Sequence, residues 1–164
     1  MKLFLFFAMI AILSSCNNTG ELNMEEPRVK DSTEQELNLE KNNITGCYMR
    51  VLERDTFVAV LKQNKERVTG KLSFDNYQKD GSTGVVEGMI EDNIIKLTYS
   101  FQSEGTNSVM DIYFKKEGEG LVRGIGEIGI RGDTSYFINT DNVEYPPGDI
   151  LRKIDCKEIP SKYQ

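Results

Sequence analysis

"NIIKLTYSF", residues 93–101, places Ile95, Leu97, Tyr99 and Phe101 on alternate positions, with Lys96, Thr98 and Ser100 between them. A repeat of two belongs to an extended strand that buries one face and wets the other. The same alternation continues on both sides. Val68, Leu72 and Phe74 oppose Thr69, Lys71 and Ser73, while Met110, Ile112 and Phe114 oppose Asp111 and Lys115. Turn-forming clusters separate these runs at Gln63-Asn64-Lys65, Lys79-Asp80-Gly81, Glu91-Asp92-Asn93, Glu104-Gly105-Thr106-Asn107, Glu117-Gly118 and Gly132-Asp133. No amphipathic helical pattern interrupts them. The sequence therefore predicts an all-β domain, an antiparallel meander of about nine short strands forming a barrel or a strongly curled sheet.

One stretch competes with this pattern. "RGIGEIG", residues 123–129, has the G-x-G-x-x-G spacing at Gly124, Gly126 and Gly129. A dinucleotide site needs a helix that starts within the glycines and points its N-terminus at phosphate. Here the glycines lead into Ile130-Arg131-Gly132-Asp133, a turn, and then Thr134 to Phe137, another short strand. Read with period two, Val122, Gly124, Gly126, Ile128 and Ile130 share one face of a strand, with the glycines at a narrow or bent part of the sheet. The tripeptide Arg131-Gly132-Asp133 is explained by turn chemistry at a hairpin tip.

The chain contains no histidine, which removes Ser-His-Asp and Cys-His nucleophile systems and the usual zinc sites. A carboxylate pair for hydrolysis would have to come from Glu87, Glu91, Glu104 and Asp111. Three of these stand at outward strand positions and Glu104 at a turn. The expectation is accordingly no enzyme, no cofactor and no metal. The formal charge is −6, and loss of Lys2 with a leader makes the mature chain slightly more acidic. Such a balance disfavours nucleic acid and anionic membrane faces as partners. Tyr99, Phe101, Phe114 and Phe137 are the aromatic candidates for lining a ligand pocket, although a solid core would use them equally well.

Two cysteines, Cys47 and Cys156, flank the alternating region. In an exported chain such a pair forms a disulfide. Closing a ring of roughly 100 residues stabilises by about 4.7 kcal/mol in the chain-entropy model. It also requires the first and last strands to meet, which removes open sheet edges.

The N-terminus has its own character. Lys2 precedes an apolar run from Leu3 to Leu13, shorter than the roughly 18 residues of a membrane span and laid out as an export signal. Leu13-Ser14-Ser15-Cys16 resembles the lipobox of bacterial lipoproteins. That resemblance implies cleavage before Cys16, acylation of Cys16 with diacylglycerol and palmitate-type chains, and stable membrane attachment. Asn17 to Asn43 lacks aromatic residues and is rich in Glu and Asn. It is predicted to be a disordered acidic spacer, reaching about 25 to 30 Å as a loose coil. The expected organisation is thus signal peptide 1–15, lipidated terminus and spacer 16–43, barrel-like domain 44–158 and short tail 159–164.

Gly46-Cys47-Tyr48, the turn Lys79-Asp80-Gly81-Ser82-Thr83-Gly84, the segment Tyr99 to Gly105 and the closing Cys156 are similar to the globular part of small bacterial lipoproteins with lipocalin-like or envelope-sensor-like barrels. The lipocalin Gly-x-Trp is missing, since the chain has no tryptophan. The resemblance implies location and shape. A monomeric, non-catalytic envelope lipoprotein is expected, with Asn17 after the acylated residue favouring the outer membrane. Its barrel would bind a small apolar or amphipathic ligand, or alternatively dock an envelope protein as an inhibitor or sensor.

Overall fold

The computed structural model describes residues 43–103 and 105–163; the leader, Cys16, the spacer up to residue 42, Glu104 and Gln164 lie outside the described residues. Ten strands follow in order: β1 (Gly46–Leu52), β2 (Asp55–Asn64), β3 (Arg67–Asp75), β4 (Ser82–Glu91), β5 (Ile94–Ser103), β6 (Thr106–Glu117), β7 (Gly120–Arg123), β8 (Ile128–Arg131), β9 (Thr134–Phe137) and β10 (Ile150–Ile154). Strands β1 to β7 pair in sequence, β10 pairs with β7, and β10 also pairs with β1, all antiparallel. The result is a closed barrel of eight strands. The remaining two, β8 and β9, form a hairpin outside the ring, held to β6 by the parallel pairs Val109↔Thr134 and Met110↔Ser135.

The alternation predicted for β3, β5 and β6 is the alternation observed. Val68, Leu72, Ile95, Leu97, Tyr99, Ile112 and Phe114 fill the interior, joined there by Tyr48, Ala59, Leu61, Val86, Leu121 and Leu151. One end of the barrel is plugged. Ile44, fully buried just before β1, sits there with its carbonyl accepting from the Tyr48 hydroxyl at 3.0 Å, and its N–H donates to Gln63 Oε1 at 2.9 Å. Burial pushes the Tyr48 phenol up to about 12, helped by the charge of Glu119.

A closed ring with so small a bore needs places where strands approach without side chains. Gly70, Gly84 and Gly88 occupy inward positions of β3 and β4. A Cβ added at these three would fall 2.1, 2.1 and 2.0 Å from the carbonyl oxygens of Val60, Ser100 and Lys96 on neighbouring strands. The glycines that bend this sheet are therefore in β3 and β4. The 123–129 stretch departs from its expectation: β7 stops at Arg123, the chain leaves the barrel through Gly124 to Glu127, and β8 is a separate strand with Ile128 and Ile130 exposed. Two-residue turns at Glu53-Arg54, Lys65-Glu66, Asp92-Asn93, Gly118-Glu119 and Gly132-Asp133 connect hairpin strands. The first residue of each has positive φ, which glycine adopts freely and other residues adopt at some cost.

The ring is thinnest where it closes. Nine residue pairs join β2 to β3, but three join β1 to β10 and three join β10 to β7. Cys47 and Cys156 form a disulfide beside this seam, with Cα atoms 5.2 Å apart. The bond lies on the outer wall, because Cys47 alternates with the inward Tyr48. Beyond Cys156 the chain continues across the outside of β1, β2 and β3. Ile159 and Tyr163 bury themselves there with Cys47 and Val58, flanked by Met49, Val60 and Ile154. The stretch read from sequence as a short tail is thus a strap packed on the barrel. Its far end is held by Asp75, which accepts from the Tyr163 hydroxyl at 2.6 Å and from the Lys162 ammonium.

Two outcomes are expected. Gly88→Ala should destabilise the fold by about 3 kcal/mol or more, as read from urea unfolding, since the new methyl group meets backbone rather than a movable side chain. The hydrogen bonds from Lys162 and Tyr163 lower the Asp75 pKa from 3.8, so their contribution is present above the ordinary carboxylate range and is lost as pH falls through the depressed value. Lys162, raised from 10.5 to about 12 by the same contact, keeps its charge throughout that range. Amide exchange at Tyr163 should therefore lose protection on acidification beyond the general loss of stability, and Asp75→Asn should abolish that extra dependence.

Candidate functional site

The end opposite Ile44 is the open one. There β3 ends at Asp75, β4 begins at Ser82, β7 ends at Arg123, and the exit segment crosses the gap between β7 and β9 along β6. These elements enclose a cavity of about 360 Å³, lined by Phe74, Met110, Ile112, Ile125, Ile128 and Phe137, with Asn76, Ser82, Asp111 and Arg123 as its polar side chains. Ile125 and Ile128 are 44% and 45% exposed, so the cavity opens to solvent on that side.

Strand alternation turns a row of aromatic rings inward behind the mouth. Phe57 stacks on Phe74 at 4.0 Å, Phe74 meets Tyr99 at 5.6 Å, and Tyr99 stacks on Phe101 at 4.7 Å. Of the four aromatics expected at a pocket, Phe137 lines the cavity. Tyr99 and Phe114 are fully buried in the core, and half-buried Phe101 packs against it. Burial raises the Tyr99 pKa, and its hydroxyl donates to Ser82 Oγ at 3.1 Å. Phe74, Met110 and Ile112 were recognisable as inward-facing from their period, but which inward residues remain uncovered depends on where the ring ends.

Arg123 is cross-strand partner to the inward Phe114, so it also points inward, with its guanidinium 5.9 Å from the Phe57 ring centre. Its Nε donates to Asp149 Oδ2 at 2.9 Å, and its Nη2 stands 2.7 Å from the same oxygen as an ion pair. Arg50 Nη1 stands 2.9 Å from Asp149 Oδ1. That contact compensates charge, yet it lacks hydrogen-bond geometry, and Oδ1 is buried without a hydrogen-bond donor. Arg50 Nη2 donates to the Gly148 carbonyl at 3.4 Å. The three charges lie 73 and 26 residues apart along the chain, from Arg50 to Arg123 and from Arg123 to Asp149. No local motif announces them; the one sequence signal is the inward parity that Arg123 shares with Leu121.

The glycines of 123–129 make room for side chains. A Cβ on Gly124 would lie 2.7 Å from Val143 and 3.1 Å from Tyr145, one on Gly126 would lie 3.0 Å from Phe137, and one on Gly129 would lie 2.7 Å from Tyr136. The exit segment thereby packs flat on the outer side of β6, where Phe137 meets Tyr113 at 4.9 Å. Burial raises the pKa of both Tyr113 and Tyr145, with Asp111 adding to the effect at Tyr113 and Tyr113 to that at Tyr145. In the Arg-Gly-Asp tripeptide, Gly132 has φ 64° at the β8–β9 turn, and Arg131 lies over Tyr136 at 5.4 Å.

The acidic candidates do not share a cleft among the described residues. Glu87 pairs with Arg67 at 3.3 Å and Glu91 with Lys96 at 3.1 Å, both on the exposed outer wall. Asp111 alone lines the cavity, and its Oδ2 accepts from the Phe137 N–H at 3.4 Å. Glu104 is outside the described residues. No protein-family model, curated protein or solved structure matches the chain.

Removing Asp149 leaves two guanidinium groups facing each other in the mouth. Asp149→Ala should cost about 2 to 3 kcal/mol in urea unfolding, with the lower value favoured by the partial exposure of both arginines. Replacing all three charges together, as Arg50→Met, Arg123→Met and Asp149→Leu, should restore most of that loss.

Proposed function

We propose that this protein is a lipid-anchored, non-catalytic lipoprotein of the bacterial cell envelope whose barrel binds a small apolar or amphipathic molecule at its open mouth. The observation that carries the binding reading is the cavity of about 360 Å³. Its size falls within the range of small-molecule sites, and its lining is mostly apolar with a few convergent polar groups. The interior beyond it is solid, packed by Tyr99, Phe114 and the residues around them, so the ligand would seat at the rim rather than pass down the axis. The anchor rests on Leu13-Ser14-Ser15-Cys16 and the short apolar run before it. A lipid tail at Cys16 would hold the domain beside a membrane, where apolar ligands are concentrated.

A second reading, docking of an envelope protein, is favoured by one feature. β8 ends the sheet order, and Ile130 and Ile138 beside that edge are 75% and 53% exposed. Open edges with apolar neighbours accept an added strand.

The two readings separate by mutation. Met110→Trp should fill the cavity and weaken binding of an uncharged fluorescent apolar probe by about tenfold or more, with the far-ultraviolet circular dichroism unchanged. Ile130→Lys should leave that binding intact. Unaltered probe affinity in Met110→Trp would refute the cavity reading, and failure of Cys16 to incorporate labelled palmitate would refute the anchor.

A further inference from the structure

Two arginines share one aspartate at the mouth. The side chains of Arg50 and Arg123 are 24% and 35% exposed and that of Asp149 is 13% exposed, so the cluster holds an excess positive charge in a partly desolvated place. Such a charge is unfavourable without a counter-ion. Only Arg123 of the three also lines the cavity. Its Nε and Nη2 are occupied by Asp149, while Nη1 has no hydrogen-bond partner among the described residues.

The other inner polar groups are neutral. The Tyr99 hydroxyl, with one proton to give, lies 3.1 Å from Ser82 Oγ and 3.4 Å from the Leu72 carbonyl, and Asn76 contributes a side-chain amide with two N–H donors. Asp111, the one acid of the lining, falls between Met110 and Ile112 on β6. It therefore enters the cavity from the Phe137 side, where its Oδ2 accepts from the Phe137 N–H at 3.4 Å. The inner end of the cavity thus presents a cation and neutral donors, and an apolar wall of Phe74, Met110, Ile112 and Phe137 leads outward from it.

Building on the ligand-binding reading above, we propose that the cavity takes a single-chain amphipathic anion, with its head on Arg123 and its alkyl chain along Met110 and Ile112. A carboxylate or phosphate head completes the charge balance of the Arg50–Asp149–Arg123 cluster, and a guanidinium donates to either through charge-assisted hydrogen bonds. The net charge of −6 on the whole chain makes this local cation the element that selects an anion.

The test is calorimetric titration of the full chain in phosphatidylcholine nanodiscs, corrected against empty discs, with octanoate, octyl phosphate and octanol. Octanoate or octyl phosphate should bind at least about tenfold more tightly than octanol, and the preferred head tells carboxylate from phosphate. Arg123→Gln should bring the anions down to the affinity of octanol without changing octanol itself, and Arg123→Lys should fall between. The lysine variant keeps the charge beside Asp149 and serves if the glutamine variant does not fold. Equal affinity for all three probes, lost together in Met110→Trp, would overturn the anionic head and leave the cavity reading standing. Absence of binding by any probe would overturn both.

Discussion

The seam between β1 and β10 is the constraint on which the barrel depends. A ring of strands has no free edge, but it is only as complete as its weakest ladder, and here three residue pairs close it on each side of β10. The Cys47–Cys156 bond reinforces that place from outside and closes a ring with a sequence separation of 109. By restricting the unfolded chain it supplies up to about 4.7 kcal/mol in the entropy model. It also carries the C-terminal strap onto the outer wall, where Ile159 and Tyr163 cover Val58 and Cys47. Covalent bond, backbone ladder and apolar strap converge on one side of the ring, opposite the long ladders from β2 to β5.

Closure also decides how the interior is shared between packing and space. Gly70, Gly84 and Gly88 let neighbouring strands approach closely, and the large side chains of the enclosed bore then fill it from Ile44 upward. Among the described residues the other end has no equivalent plug. β7 is a four-residue strand, so the ring loses a wall beside β6 before the mouth is reached. The chain from Gly124 to Asp149 covers the gap from outside and returns as β10. The cavity occupies what that detour leaves uncovered. It is a consequence of one strand ending early.

The same detour gathers the charges. Asp149 precedes β10, Arg123 ends β7 and Arg50 lies on β1, and adjacency of these three strands around the seam places a carboxylate between two guanidinium groups. Its position beside an apolar cavity links the physics of closure to the proposed chemistry of binding. The arrangement that helps shut the mouth on one side offers an unbalanced cation on the other.

Much of this was legible along the chain. Alternation at 68–74, 95–101 and 110–114 determined an all-β domain and named its core residues, because a strand's faces follow from residue parity alone. The Cys47–Cys156 disulfide followed on chemical grounds from reading the chain as exported, with two cysteines flanking the alternating region. The turn residues marked most of the hairpins, since backbone conformation there is a local property. Parity did not reveal that the 121–130 run breaks at Gly124, because a glycine that permits an exit and a glycine that permits a bend look alike in sequence. Nor did it reveal the cavity, the strap or the arginine pair on Asp149. Those depend on which strands become neighbours and where each ladder stops, and contacts between residues as distant as Arg50 and Asp149 are created only when the ring closes.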